Sequence, residues 1–424
     1  MKHPIYVTAD EAVKAVKTGD HIHLSSVASV PHVLIQALCR RADNGEVRDL
    51  HFHHFHTEGP APYSEPRYDG IFFDQGFFLG PNVRANVNAG YADYLPVHLG
   101  ESQKLYRSGA LRCDVAMVQV SLPDENGMFS LGTSVDCSLA AVESAGTVIA
   151  VVNENVPYAY GDLVSPGLID YLVKDNTPLV TKAFAEPDET EKLIGKNCAE
   201  LVPDGACLQM GIGALPNALA AALTDHKNLG LHTEMFADGI LNLIKKGVIN
   251  GMHKKIDTGK VVASFLLGSE EVYKFIDHNP DVLMKDIKYT NDPWIIAQNP
   301  EMMAINSATE VDLTGQISAD SIGTRIFSGT GGQVDFVRGA TMSEGGKSVT
   351  AFASRTKKGQ TKIVPVLNPD AHWIVTEYGA VDLYGKSLQE RAKLLISIAH
   401  PDDRNDLDRA AFERFGPHYH NFSI

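Results

Sequence analysis

Three short stretches of this 424-residue chain carry residues whose types and spacing suit chemistry. The first is GLHTEMFADG, Gly230 to Gly239, which sets one carboxylate, Glu234, inside a run with strand character, Leu229 to Phe236. Asp and Glu are depleted from strands and seldom buried without a partner. Glu234 is therefore either a structural acid paired with a group such as His232 or Lys245, or a reactive carboxylate kept from water. The second stretch is LQMGIGALPNALAAAL, where glycines follow a strand and precede a helix. Glycine lets the backbone approach a ligand closely, and free N–H groups at a helix N-terminus favour negative charge. A phosphate or a developing oxyanion would suit Gly211–Leu215, although many such turns carry glycine for packing alone. The third is SGTGGQVDF, Ser328 to Phe336, followed by GGKSV, Gly345 to Val349. Position 341 is Thr where a P-loop requires its first glycine, and GxGxxG is absent, so neither NTP hydrolysis nor a Rossmann dinucleotide site is expected.

The elements that must position these residues read as α/β. Short apolar runs mark strands near His21–Leu24, Val115–Val120, Val148–Val152, Leu208–Met210 and Val261–Leu266, with helices near His32–Arg40, Val135–Ala145 and Asn217–Leu223. Parallel sheets follow from that alternation. Ligands bind such sheets at the carboxyl ends of the strands, so Glu234 should stand near the Gly211–Leu215 amides, a carboxylate nucleophile beside an oxyanion hole. Two units also resemble each other. His21–Leu24 leads through a small-residue loop to Pro31-x-x-Leu34-x-x-Ala37-Leu38, and Cys207–Met210 leads through GIGAL to Pro216-x-x-Leu219-x-x-Ala222-Leu223. Both read as strand, loop and Pro-started helix. The expectation is two related open α/β domains with mostly parallel sheets, residues 1–188 and 189–424, dividing in the acidic stretch AEPDETEK.

Whole-chain properties narrow the function. At 44% hydrophobic and 8% aromatic residues the composition is that of a globular protein, and no apolar leader or membrane-length run is present, which predicts a cytoplasmic enzyme. Five cysteines without a CxxC pair argue for reduced thiols. Cys207 reads as a small core residue. A net charge of −15 disfavours nucleic acid and anionic membranes as partners. Against that balance, the segment 325–362 holds seven basic and two acidic residues, a solvated face or a site for a phosphate-bearing ligand. HFHHFH, His51 to His56, looks like a metal cluster, but alternation sends His51 and His53 to one face and His54 and His56 to the other, so no metal is expected.

Taken together, SLPDENGMFSLGTSVDCSLAAVESA, QMGIGALPNAL, GLHTEMFADG, INSATEVDLTGQISADSIGTRIFSGTGGQVDF and EGGKS resemble the class I coenzyme A transferases of the acetyl-CoA hydrolase/transferase family, particularly the butyrate and 4-hydroxybutyrate CoA-transferases. That resemblance covers most of the chain and implies a tandem CoA-transferase fold. It makes Glu234 the nucleophile, which forms an acyl-glutamyl anhydride and then a glutamyl-CoA thioester in a ping-pong exchange with a short-chain carboxylate such as acetate. No cofactor is implied, since coenzyme A is itself a substrate. The resemblance further places CoA on Gly211, Ile212, Gly213, Ala214 and Leu215 and on Gly329, Gly331 and Gly332, with the Ile212 and Gly331 amides as oxyanion donors and Gln209 beside the acyl pocket. Lys347 is the electrostatic choice for a CoA phosphate. The first-half loop SSVASVP departs from relatives that carry Gly or a polar residue there, leaving substrate choice open. A hydrolase passing the same intermediate to water and a non-catalytic acyl-CoA binder remain as alternatives, and a homodimer or tetramer is implied.

Overall fold

The computed structural model describes residues 3–312, 317–359, 362–364, 373–376, 379–382, 385–397, 401, 404–416 and 419. Runs such as Val115–Val120, VAMVQV, bury all six side chains. Continuous apolar strands of this kind belong in parallel sheets covered on both faces. Two such sheets form. The first has eight strands in the order Ile5–Tyr6, Tyr171–Lys174, Thr147–Val152, Val115–Val120, His21–Leu24, Leu50–His53, Phe72–Gly76 and Asp93–Tyr94. The second has seven: Lys347–Thr350, Met302–Asn306, Cys207–Met210, Gly230–His232, Val261–Ala263, Val282–Met284 and Tyr160–Gly161. Every neighbouring pair in both is parallel. The expected α/β class with two open parallel sheets is what the chain adopts.

Both sheets wind the same way. From His21–Leu24 the chain adds three strands on one side, then crosses back to lay Val115–Val120 on the other. From Cys207–Met210 it again adds three strands and crosses back to Met302–Asn306. The strand order reverses beside each of these first strands, and ligands bind open α/β sheets at such switch points.

Several boundaries differ from the sequence reading. Leu229–Phe236 and Val261–Leu266 are each broken in two: Gly230–His232 with Met235–Phe236, and Val261–Ala263 with Phe265–Leu266. The two distal pieces pair as a separate ribbon. The helix expected from Val135 starts at Ser138, because Asp136 sits at φ 26 and its Oδ1 accepts from the Ser138 amide and hydroxyl at 2.7 and 2.8 Å. Nor are both repeat helices Pro-started. Pro31 stands just outside His32–Asp43, whereas Pro216 is the third residue of Ala214–Ala222.

The two sheets are interlocked. Tyr160–Gly161, early in the chain, pairs with Val282–Met284 at the edge of the second sheet. One apolar core runs through both, from Val118 and Val120 to Leu208, Leu231 and Phe265. Arg107 also bridges from its helix to Glu143 and to Asp286 at 2.6 and 2.5 Å. Among the described residues no helix is long and apolar enough to cross a membrane.

Candidate active site

Glu234 stands at the break between two strands, not within one as its sequence suggests. Its carbonyl accepts the amides of both Ser264 and Phe265, at 2.9 and 3.0 Å. Thr233 Oγ1 donates to the Met235 and Met210 carbonyls at 3.0 and 3.3 Å. One carbonyl taking two amides draws the breaks of adjacent strands together and lets the chain bend at Glu234. The Leu208↔Leu231 pairing and the Thr233 bond to the Met210 carbonyl put the end of Cys207–Met210 beside the residue that precedes Glu234.

The Glu234 carboxyl is walled in by protein, while the residue keeps a small solvent-facing portion. Asn291 Nδ2 donates to its Oε2 at 3.1 Å. Neither candidate ion partner reaches it: His232 Nε2 lies 2.9 Å from the Thr290 carbonyl, and Lys245 pairs with Glu271. Burial drives its pKa up to about 7, with Asn291 acting downward and the nearby Asp335 charge acting upward. Such a carboxylate is less hydrated and more basic than one on the surface.

Two glycine loops follow from the sequence reading, one at the end of Cys207–Met210 and one on Glu234 itself. Gly213 has φ +119 and ψ −171, a backbone that side-chain-bearing residues rarely adopt, and the helix Ala214–Ala222 begins at once. Its first amides have no intrahelical partner. Gly211, Ile212, Ala214 and Leu215 line a cavity of about 270 Å³ with Met210, Ile305, Asn306 and Ser307, at the carboxyl ends of the strands beside the switch point. Gln209 is buried and exchanges two 3.1 Å hydrogen bonds with Asn306, so it braces a cavity wall from behind.

The other loop, Ser328–Gly332, lies directly on the acid. A Cβ added at Gly332 would stand 1.8 Å from Glu234 Oε2, so only glycine fits. Gly329 and Gly331 both have positive φ and pack on Phe77 and Phe78 of the first half. The Thr330 amide donates to the Tyr94 hydroxyl at 3.0 Å, Thr330 Oγ1 donates to the Val97 carbonyl at 2.7 Å, and the Leu99 amide donates to the Gly331 carbonyl at 2.9 Å. First and second halves therefore meet beside Glu234.

Lys347 is not brought to this place. It opens its edge strand opposite Met303, towards the amino ends, and its Nζ donates to the Leu201 carbonyl at 2.9 Å. The rest of the basic segment does not converge either: Lys362 donates to the Ala308 carbonyl, and Arg325, Arg338, Arg355, Lys357 and Lys358 are exposed. The histidines of HFHHFH separate into pairs. His53 Nε2 faces His21 Nδ1 at 3.0 Å, His54 Nε2 faces Asp74 at 2.8 Å, and His56 Nε2 faces Glu58 at 2.8 Å. Among the described residues, His23, Asp136 and Cys137 are close enough to share a metal ion. Tyr106 and Ser138 already bond His23, and Ser134 and Ser138 bond Asp136. SSVASVP is buried, with Val27 at φ 46 and its amide 2.6 Å from the His56 carbonyl.

Sequence reasoning missed Asn291 and Asp335. Asn291 Nδ2 also donates to Asp335 Oδ2 at 3.1 Å, tying the two acids together. Asp335 lies inside the glycine-rich stretch already singled out, but nothing in its spacing points to Asn291, 44 residues away.

Comparison with known proteins agrees over nearly the whole chain. The model of the acetyl-CoA hydrolase/transferase N-terminal domain matches residues 5–183 and that of the C-terminal domain matches 268–411. A succinyl-CoA:acetate/propanoyl-CoA:succinate CoA transferase of Fasciola hepatica is 43% identical over 96% of this chain and 87% of its own length. The 4-hydroxybutyrate coenzyme A transferase of Clostridium kluyveri is 40% identical over 96% of this chain and 97% of its own. The crystal structure of RipA from Yersinia pestis superposes with a TM-score of 0.80 at 33% identity, covering 96% of this chain and 97% of RipA. With both domain models matched and identities of this size over nearly the whole chain, the chain belongs to the acetyl-CoA hydrolase/transferase family.

Proposed function

We propose that this protein is a CoA-transferase that moves CoA between a short-chain acyl-CoA, of the butyryl or 4-hydroxybutyryl kind, and acetate, with Glu234 as nucleophile. The observation that carries the reading is a carboxyl that has no ion partner among the described residues, its pKa raised to about 7 by burial, directly under the Ser328–Gly332 glycine loop. Glu234 attacks the thioester carbonyl, the C–S bond breaks, and CoA leaves as thiolate, giving an acyl-glutamyl anhydride. The thiolate attacks the glutamyl carbonyl and releases the donor acid, leaving a glutamyl-CoA thioester. The acceptor carboxylate then attacks that thioester, and returning thiolate takes the new acyl group, which restores Glu234. Amides of Ile212 and Gly331 stabilise the tetrahedral oxyanions in this reading. Gly211–Leu215 cradle the CoA arm in the cavity in this reading, Gly329 and Gly332 contact it on the Glu234 side, and Gln209 shapes the acyl side through Asn306. We take Lys347 out of the phosphate site because its ammonium is engaged at the wrong end of the sheet. The two domains of this reading are 1–188 and 189–424.

The test is covalent. Incubation with butyryl-CoA and no acceptor should leave a fraction of chains heavier by CoA minus water on intact-mass measurement, with the modified peptide containing Glu234. Adding acetate should discharge the adduct and form acetyl-CoA. Glu234→Gln should show neither. Release of free CoA at a rate indifferent to acetate would instead mark a hydrolase.

A further inference from the structure

We propose that Asp335 is a positioning residue for Glu234: through Asn291 it holds one N–H on the nucleophile, and through Gly100 it does so only while the helix Leu99–Arg107 of the first half is seated on the second. The inference rests on the reading of Glu234 as nucleophile. An Asn side chain presents two N–H groups at one end and an acceptor at the other. Asn291, 1% exposed, commits Nδ2 to two carboxylates, Glu234 Oε2 and Asp335 Oδ2, each at 3.1 Å. Its Oδ1 accepts from Thr290 Oγ1, also at 3.1 Å. Turning the amide over would aim Oδ1 at both acids. Asp335 thereby fixes which end faces Glu234.

Asp335 is itself 5% exposed, and its Oδ2 takes a second bond from the Gly100 amide at 2.9 Å, 235 residues away in sequence. A Cβ at Gly100 would lie 2.9 Å from the Asn291 carbonyl oxygen and 3.0 Å from Asp335 Oδ2, so this helix start is packed flush on the pair. Any lifting of the helix breaks the Gly100 bond and frees the carboxylate that orients Asn291. The titratable groups acting on Asp335 are His98 and Glu101 on the same first-half segment, and Asp335 in turn acts on Glu234. Burial raises Asp335 to about 6, with the Gly100 and Asn291 bonds acting downward. Its charge adds to the basicity of Glu234.

Two variants test this on the intact chain with butyryl-CoA and acetate. Asp335→Asn keeps an oxygen for Gly100 and Asn291 but removes the charge. The acid limb of kcat/KM, which reports the essential base of the free enzyme, should move to lower pH by about half a pH unit or more, with KM for butyryl-CoA within about twofold of wild type. Asp335→Ala also removes the acceptor, and kcat should fall about tenfold or more at unchanged KM. A merely structural role lowers the melting temperature and leaves the limb in place. An unmoved limb in Asp335→Asn overturns the proposal, including where Asp335→Ala fails to fold. Failure of the nucleophile reading is a separate result: wild-type protein that forms no CoA adduct on Glu234.

Discussion

A carboxylate in water is a weak nucleophile because it is weakly basic and tightly hydrated. At Glu234 both handicaps are reduced by burial, and the Asp335 charge raises its basicity further. The kcat/KM profile of the wild type should therefore rise with pH along a limb centred near 7, where an ordinary carboxylate would give one near 4.5. The same shift weakens the fold. An acid whose folded pKa is raised contributes nothing below its unfolded value, and folding stability is lost as pH climbs from about 4.5 through about 7. Glu234→Gln should consequently be more stable than wild type at pH 8, by on the order of 1–3 kcal/mol, with the gap closing near pH 4.5. Urea unfolding at the two pH values checks the sign. A structural acid predicts the opposite, a variant weaker at pH 8. Glu234 was legible as a candidate, because a lone acid between Thr233 and Met235 in a strand-like run is conspicuous. Asn291 was not, since Asn in TNDPW reads as a helix end and its partners are 57 and 44 residues away.

At the scale of the element, the two glycine loops fail in different ways when substituted. Gly332→Ala would drive a methyl into Glu234 Oε2, so either the loop or the Glu234 carboxyl must move. Activity should drop by about a hundredfold or more with little change in global stability, because the clash is confined to a loop and one side chain. Gly213→Ala meets no atom but is strained by φ +119. Its effect should be a raised KM for acyl-CoA and a cost of about 1–3 kcal/mol read by thermal unfolding. The strands His21–Leu24 and Val115–Val120 were legible to the residue, since each is a short run bounded by turn residues, Gly19-Asp20 before the first and Pro123 after the second, that alternates with helical patterns. The breaks at Glu234 and Ser264 were not. They depend on one carbonyl accepting two amides from the neighbouring strand, a register fact that no local pattern records. Lys347 shows a further limit: net charge along a segment says nothing about which end of a strand each cation occupies.

Across the whole molecule, the halves share one core, the Ser328–Gly332 loop is hydrogen-bonded to the first half, and Asp335 bonds Gly100 across the seam. Chains of this length usually melt domain by domain. Here calorimetry should give a single main transition. Two well-separated transitions would mean that the seam opens before either half, and the site with it. The repeat of strand, loop and helix announced two sheets, but not their interlocking, because Tyr160–Gly161 carries no apolar run and is too short to stand out.

That pair of residues also bears on how the protein is made. Synthesis runs in order, so Tyr160–Gly161 leaves the ribosome roughly 120 residues ahead of Val282–Met284, a wait on the order of ten seconds at about 5–20 residues per second. Throughout that interval the nascent first half carries a strand with no partner. A gene divided in the linker would make the wait permanent: one product would trail a dangling strand, and the other would present the bare edge of Val282–Met284, the kind of edge that recruits a foreign strand.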